Sequence, residues 1–145
     1  MEICCWKEHH SSTISSMKKK ILLIEDEPTI QRLLCFILSK DFDVKVAANG
    51  FEAFVWLEQH QLPDLIIMDW VMPYMDGKSF LKCIKISGLY CDIPVIVLSA
   101  SKNIKEELDR LPYSINKYIP KPFDPLVLKE TIGNIFNTST YGFVN

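Results

Sequence analysis

The sequence predicts a doubly wound α/β domain, and three features point to it. Short apolar runs rich in β-branched residues alternate five times with segments whose apolar residues recur at helical spacing. Most of the runs are apolar throughout, the mark of parallel strands buried on both faces, and parallel neighbours need right-handed crossovers that place helices on both sides of the sheet. Acidic residues gather where the runs end, and sheets of this kind bind ligands beyond the carboxyl ends of their strands, near the point where strand order reverses.

Residues 1–17 lack periodicity, are rich in serine, and read as a flexible extension. Its "CCWKEHH" sets two cysteines beside His9 and His10, but nothing around them fixes a metal geometry. The domain pattern spans 18–136, leaving 137–145 as a short tail. "KILLI" is the first strand. Pro28 then suits the first turn of a helix whose apolar positions are Ile30, Leu33, Leu34, Ile37 and Leu38. "FDVKVA" alternates with period two, and Asn49 caps a second helix with Phe51, Phe54, Val55 and Leu57 largely to one side. "DLIIM" precedes a third helix with Phe80, Leu81 and Ile84 inward and Lys78, Lys82 and Lys85 toward solvent. "IPVIVLSA" with "KNIKEELDRL", and "INKYIP" with "DPLVLKETIGNIF", complete five strand-helix pairs.

The 145 residues, 48% of them hydrophobic, suffice for one domain with a substantial core. Sixteen basic against eighteen acidic residues give a net charge of −2, which offers no basic field for nucleic acid or an anionic membrane surface. No run approaches the roughly 18 apolar residues that span a bilayer, and the polar start lacks a signal-peptide centre, so a cytoplasmic protein is expected. Five cysteines, an odd set with no C-x-x-C spacing, argue against a disulfide framework and a zinc knuckle; Cys35 and Cys83 read as small core residues. After Phe136 only "NTSTYGFVN" remains, so output by contact rather than through a DNA-binding module is expected.

The strand ends carry the chemistry. Glu25, Asp26 and Glu27 follow the first strand, Asp69 ends the third, Ser99 the fourth, and Lys121 closely follows the fifth. Parallel strands bring all of these to one edge, where clustered carboxylates repel one another unless a hard cation joins them. Magnesium suits such oxygen ligands and commonly brings a phosphate, for which a lysine and a hydroxyl are natural partners. Taken singly, each residue also has an ordinary reading: Ser99 as a helix cap, Lys121 as a surface lysine, Tyr118 as a core aromatic, Glu25 as a favourable charge at a helix N-terminus. For Glu27 that dipole reading is preferred. Pro73 and the Asp76-Gly77 pair are turn chemistry.

In this order and spacing, "ILLIEDEP", "LIIMDWVMPYMDG", "VIVLSA" and "YIPKPF" resemble the signature segments of the response-regulator receiver domain of two-component signalling, the likeness running from Lys18 to Phe136. The resemblance implies a flavodoxin-like five-stranded sheet of order 2-1-3-4-5 with five helices. It also implies a phosphoryl group accepted on Asp69 with Mg2+, from a sensor histidine kinase or phosphotransfer protein. Glu25 and Asp26 become the acidic metal pair, joined by Asp69 and the backbone carbonyl of Val71. Lys121 and Ser99 become the phosphoryl partners, with Ser99 and Tyr118 as switch residues. A downstream protein would read the face made by the fourth helix, fifth strand and fifth helix. A stand-alone regulator of this type acts on no outside substrate and catalyses only its own phosphorylation and dephosphorylation. One departure stands out: "LPYSIN" replaces the Gly-Ala that many relatives carry before the fifth strand.

Rival chemistries fit less well. A phosphatase of the haloacid dehalogenase type needs Asp-x-Asp after its first strand, and here Glu27 and Pro28 follow Asp26. A flavodoxin needs a neutral, hydroxyl-rich phosphate loop where "EDEPTI" would repel the ligand. The domain is not itself the histidine kinase, since His60 is its one histidine and falls in an expected loop. A receiver-like interaction module working without phosphorylation is the alternative.

Overall fold

Each apolar run forms a strand. In the computed structural model, which describes residues 18–59 and 62–141, these are β1 (Lys20–Ile24), β2 (Asp43–Ala47), β3 (Leu65–Asp69), β4 (Val95–Ser99) and β5 (Lys117–Pro120). All neighbours are parallel and the order is β2-β1-β3-β4-β5, as expected. The helices are α1 (Pro28–Leu38), α2 (Gly50–Gln59), α3 (Gly77–Ile86), α4 (Ile104–Asp109) and α5 (Pro125–Tyr141). Helix α5 thus continues past Phe136, while the N-terminal extension and His60 lie outside the described residues. No helix among the described residues is long and apolar enough to cross a membrane.

Alternation along the central strands splits the core in two. Leu22, Ile24, Ile66, Met68, Val95 and Val97 face α2, α3 and α4, packing on Trp56, Phe80, Leu81 and Ile84. Ile21, Leu23, Leu65, Ile67, Ile96 and Leu98 face α1 and α5, packing on Leu34, Leu38, Leu128 and Ile132. Burying such a side chain stabilises by about 1.5–3 kcal/mol.

Helix ends follow local chemistry. Glu27 caps α1, its carboxylate accepting from the Thr29 and Ile30 amides at 3.2 and 3.3 Å, with Pro28 in the first turn. Asn49 caps α2 by accepting from the Glu52 amide at 2.9 Å, and Asp76 caps α3 by accepting from Ser79 at 2.8 Å.

Three expected faces differ in the structure. In α2 the inward residues are Gly50, Ala53, Trp56 and Leu57, whereas Phe51 and Val55 are exposed. The helix is apolar nearly all round, so small residues decide: a Cβ on Gly50 would lie 3.1 Å from the Met75 side chain and 3.2 Å from its carbonyl oxygen, so glycine lets this end approach without displacing Met75. In α1, Leu33 is exposed and Gln31 takes a buried place, its amide donating to the Glu25 carbonyl. In α3, Lys78 and Lys82 are exposed as expected, but Lys85 is half-buried and burial lowers its pKa. Cys35 is buried as expected, and Cys83 and Cys91 are free and half-buried.

Candidate functional site

Continued past the strand ends, the alternation sorts the polar residues between the two faces. Glu25 follows Ile21 and Leu23, Asp69 follows Leu65 and Ile67, and Lys121 follows Ile119, so all three extend the α1/α5 face. Lys121 Nζ lies 2.8 Å from Glu25 Oε2 and 3.3 Å from Asp69 Oδ2, tying β1, β3 and β5 together at their carboxyl ends. Carboxylate oxygens of Glu25, Asp26 and Asp69 lie within 4.8 Å of one another. The structure therefore brings together four of the residues singled out in the sequence, with Asp26 exposed and Glu25 and Asp69 buried.

Burial is unequal across this cluster. The Glu25 side chain is 1% exposed and desolvation drives its pKa above the ordinary carboxylate range; the Lys121 hydrogen bond opposes the rise, and the Asp69 charge adds to it. At Lys121 burial is again the largest influence and lowers the pKa, but the combined pull of Glu25 and Asp69 outweighs it and leaves the ammonium above its ordinary range. The buried acids carry more negative charge than one lysine offsets. A set of three hard oxygen donors so placed fits a small hard cation of the magnesium type.

Ser99 and Tyr118 belong to the other face. Val97 pairs with Tyr118 in register, and both contribute to the core beneath α2, α3 and α4; Ser99, two residues after Val97, points the same way and is 1% exposed. Its hydroxyl accepts from the Ser101 amide at 3.1 Å. Tyr118 is half-buried at the edge of this core.

The loop from Trp70 to Gly77 forms the rim beside Asp69. The Val71 amide donates to Asp69 Oδ1 at 3.3 Å, while the Val71 side chain is exposed. The loop closes on itself where the Gly77 amide donates to the Trp70 carbonyl at 2.9 Å; a Cβ on Gly77 would lie 2.8 Å from Trp70 Cα and leave no room for the turn.

Two features of this loop escaped the sequence. The buried Trp70 indole donates to Glu107 Oε2 at 2.9 Å, joining the residue after Asp69 to α4. Tyr74 has φ 67° at the centre of a three-residue turn in which the Met75 amide donates to the Pro73 carbonyl at 2.8 Å, the strained form of the γ-turn. Holding a bulky residue there costs on the order of 1–2 kcal/mol. An aromatic in the place where glycine or asparagine is usual in a turn was the only available signal for Tyr74; nothing in the sequence signalled the pairing of Trp70 with Glu107, which are 37 positions apart.

Comparison with known proteins agrees with this geometry. Residues 21–133 match the family model described as "Response regulator receiver domain". The chain is 34% identical over 119 residues to the phosphate regulon transcriptional regulatory protein PhoB of Klebsiella pneumoniae, covering 82% of this chain and 51% of that one, so it spans about half the length of that relative. It is 32% identical over 123 residues to a chemotaxis protein CheY homolog of Campylobacter jejuni, covering 83% of this chain and 95% of that protein. A crystal structure of the signal receiver domain of a signal transduction histidine kinase from Syntrophus aciditrophicus superposes with a TM-score of 0.75 at 30% identity, covering 83% of this chain and 91% of that one.

Proposed function

Because the chain belongs to the response regulator receiver domain family, we propose that it accepts a phosphoryl group on Asp69 from the phosphohistidine of a sensor kinase or phosphotransfer protein, and signals in the cytoplasm by phosphorylation-dependent protein contact. The observation that carries this reading is the buried Glu25–Lys121–Asp69 bridge with Asp26 beside it. In the transfer an Asp69 carboxylate oxygen forms the new O–P bond as the N–P bond of phosphohistidine breaks. The bonding pair stays on the imidazole nitrogen, which takes up a proton from solvent.

Such a transfer rests on positioning and charge neutralisation. Lys121 holds the attacking carboxylate in place and offers an N–H to a phosphoryl oxygen, and the Ser99 hydroxyl offers a second donor. Glu25, Asp26, Asp69 and the Val71 carbonyl would hold a magnesium ion, which when bound offsets charge on the phosphoryl oxygens. The domain acts on no outside substrate and catalyses only its own phosphorylation and dephosphorylation. Incubation of wild-type protein with acetyl phosphate, followed by intact mass, is expected to show a single phosphoryl adduct with magnesium and none after chelation. Absence of the adduct under both conditions would favour an interaction module that works without phosphorylation.

Lifetime depends on how the attacking water is held. The Val71 side chain is exposed beside Asp69 and has no polar group to hold a water in line, and Ser101 is short. Val71→Asn is therefore expected to shorten the life of the acyl phosphate roughly tenfold, equivalent to about 1.4 kcal/mol of barrier. Decay of purified phosphoprotein checks this, and equal rates in the two proteins would refute it.

Output follows the Ser99 side of the sheet. A hydroxyl drawn toward the phosphoryl group vacates space that Tyr118 on the same face can enter, shifting an existing equilibrium at the surface of α4, β5 and α5. Ser99→Ala and Tyr118→Ala are each expected to weaken the phosphorylation-dependent gain in partner affinity. Unchanged gains in titrations of phosphorylated against unphosphorylated protein would remove this route.

A further inference from the structure

We infer that Tyr74 is a specificity-determining contact for the protein that presents the phosphohistidine, an aromatic anchor on the rim of the acceptor site; the inference rests on the phosphoryl-acceptor reading of Asp69. The backbone at Tyr74 is the one positive-φ non-glycine conformation among the described residues, at 67°. The side chain is 93% exposed and makes no hydrogen bond, ion pair or ring contact among the described residues, so it contributes nothing within the fold that offsets the strain. Strain of this kind persists only where the surroundings fix it. Here they do: Gly77 closes the loop onto Trp70, Asp76 caps α3, and Met75 packs against Gly50. The result is a rigid turn that holds a phenol ring out into solvent on the loop beginning at the acceptor.

Steric necessity supplies the occupant. Asp69 is only 8% exposed, so a phosphorylated imidazole carried on a macromolecule reaches its carboxylate only if the surface around that histidine is pressed against the surrounding rim. Val71 and Tyr74 are the exposed large hydrophobic side chains of that loop, with Pro73 exposed between them. An aromatic side chain carried on a fixed turn has only two χ angles to order on docking and offers a large contact area, which is why such residues dominate contact energies. A small phosphodonor needs no such contact.

The experiment compares two donors on wild type, Tyr74→Gly, Tyr74→Asn and Tyr74→Phe. One donor is acetyl phosphate. The other is the autophosphorylated catalytic core of whichever histidine kinase of the source organism labels wild-type protein fastest. With the kinase, Tyr74→Gly and Tyr74→Asn are expected to raise the half-saturating receiver concentration about tenfold while the limiting transfer rate stays within about twofold. Tyr74→Phe keeps the ring and is expected to behave as wild type. With acetyl phosphate all four proteins are expected to label within about twofold of one another. Equal saturation by the kinase overturns the inference, as does a parallel loss with acetyl phosphate, which would make Tyr74 a loop-shaping residue. Labelling of Asp69 by acetyl phosphate but by no kinase overturns the docking role and leaves the acceptor reading standing; no labelling of Asp69 by either donor overturns both.

Discussion

Asp69→Asn is expected to leave no stable phosphoryl adduct after treatment with acetyl phosphate and magnesium, a loss of at least about 100-fold in labelling rate, or about 2.7 kcal/mol of barrier. Asparagine has nearly the same shape, so the strand end and its packing should survive, and its amide oxygen can still accept from the Val71 amide that now lies 3.3 Å from Asp69 Oδ1. What is lost is the anionic nucleophile. Neither neighbouring acid replaces it readily: Glu25 is 1% exposed and tied to Lys121, and Asp26 lies on the exposed side without the lysine contact. Intact mass with peptide mapping reads the result. A full-strength adduct on Asp69→Asn would mean that another group takes the phosphoryl group, and the assignment of Asp69 would fall.

Much of this site was legible in the sequence because its residues sit one step past apolar runs that have no other plausible fate than buried strands. Once β1, β3 and β5 are parallel and share a face, Glu25, Asp69 and Lys121 must converge, whatever the helices do. β1, β3 and β4 were legible for the same reason, as apolar runs bounded by polar residues, and β2 by its period-two alternation. Helix faces were harder. In α2, five apolar residues in a row from Ala53 to Leu57 give no single stripe, and the choice fell to the small residues Gly50 and Ala53. The Trp70 to Glu107 hydrogen bond and the strained turn at Tyr74 were illegible because they depend on how the β3–α3 loop closes, which is a tertiary property of Gly77, Met75 and Gly50 together.

Lys121→Ala is expected to destabilise the metal-free protein by about 3 kcal/mol at neutral pH, and the pH dependence should identify the cause. In wild type the ammonium stands between Glu25 and Asp69, whose side chains are 1% and 11% exposed, while its own is 13% exposed. Truncation leaves two buried carboxylates facing each other without a cation, and Glu25, already pushed upward by burial, loses the hydrogen bond that most opposed the rise. Its carboxyl in the variant therefore titrates higher still. A carboxyl whose folded pKa is raised gives stability that is complete below its unfolded value, near 4.5, and is lost as pH rises through the folded value. The variant should accordingly recover much of its deficit in acid, where Glu25 is neutral. The lysine behaves in the complementary way: its raised folded pKa makes its contribution complete below its unfolded value, near 10.5, and lost as pH rises through the folded one. The gap between wild type and Lys121→Ala should thus be widest between these limits and narrow at both ends. Denaturant unfolding of both proteins across that range, in chelator, measures it. A gap that stays constant with pH would assign the loss to packing of the lysine stem, and no gap at all would mean that the bridge between Glu25 and Asp69 contributes nothing to the fold.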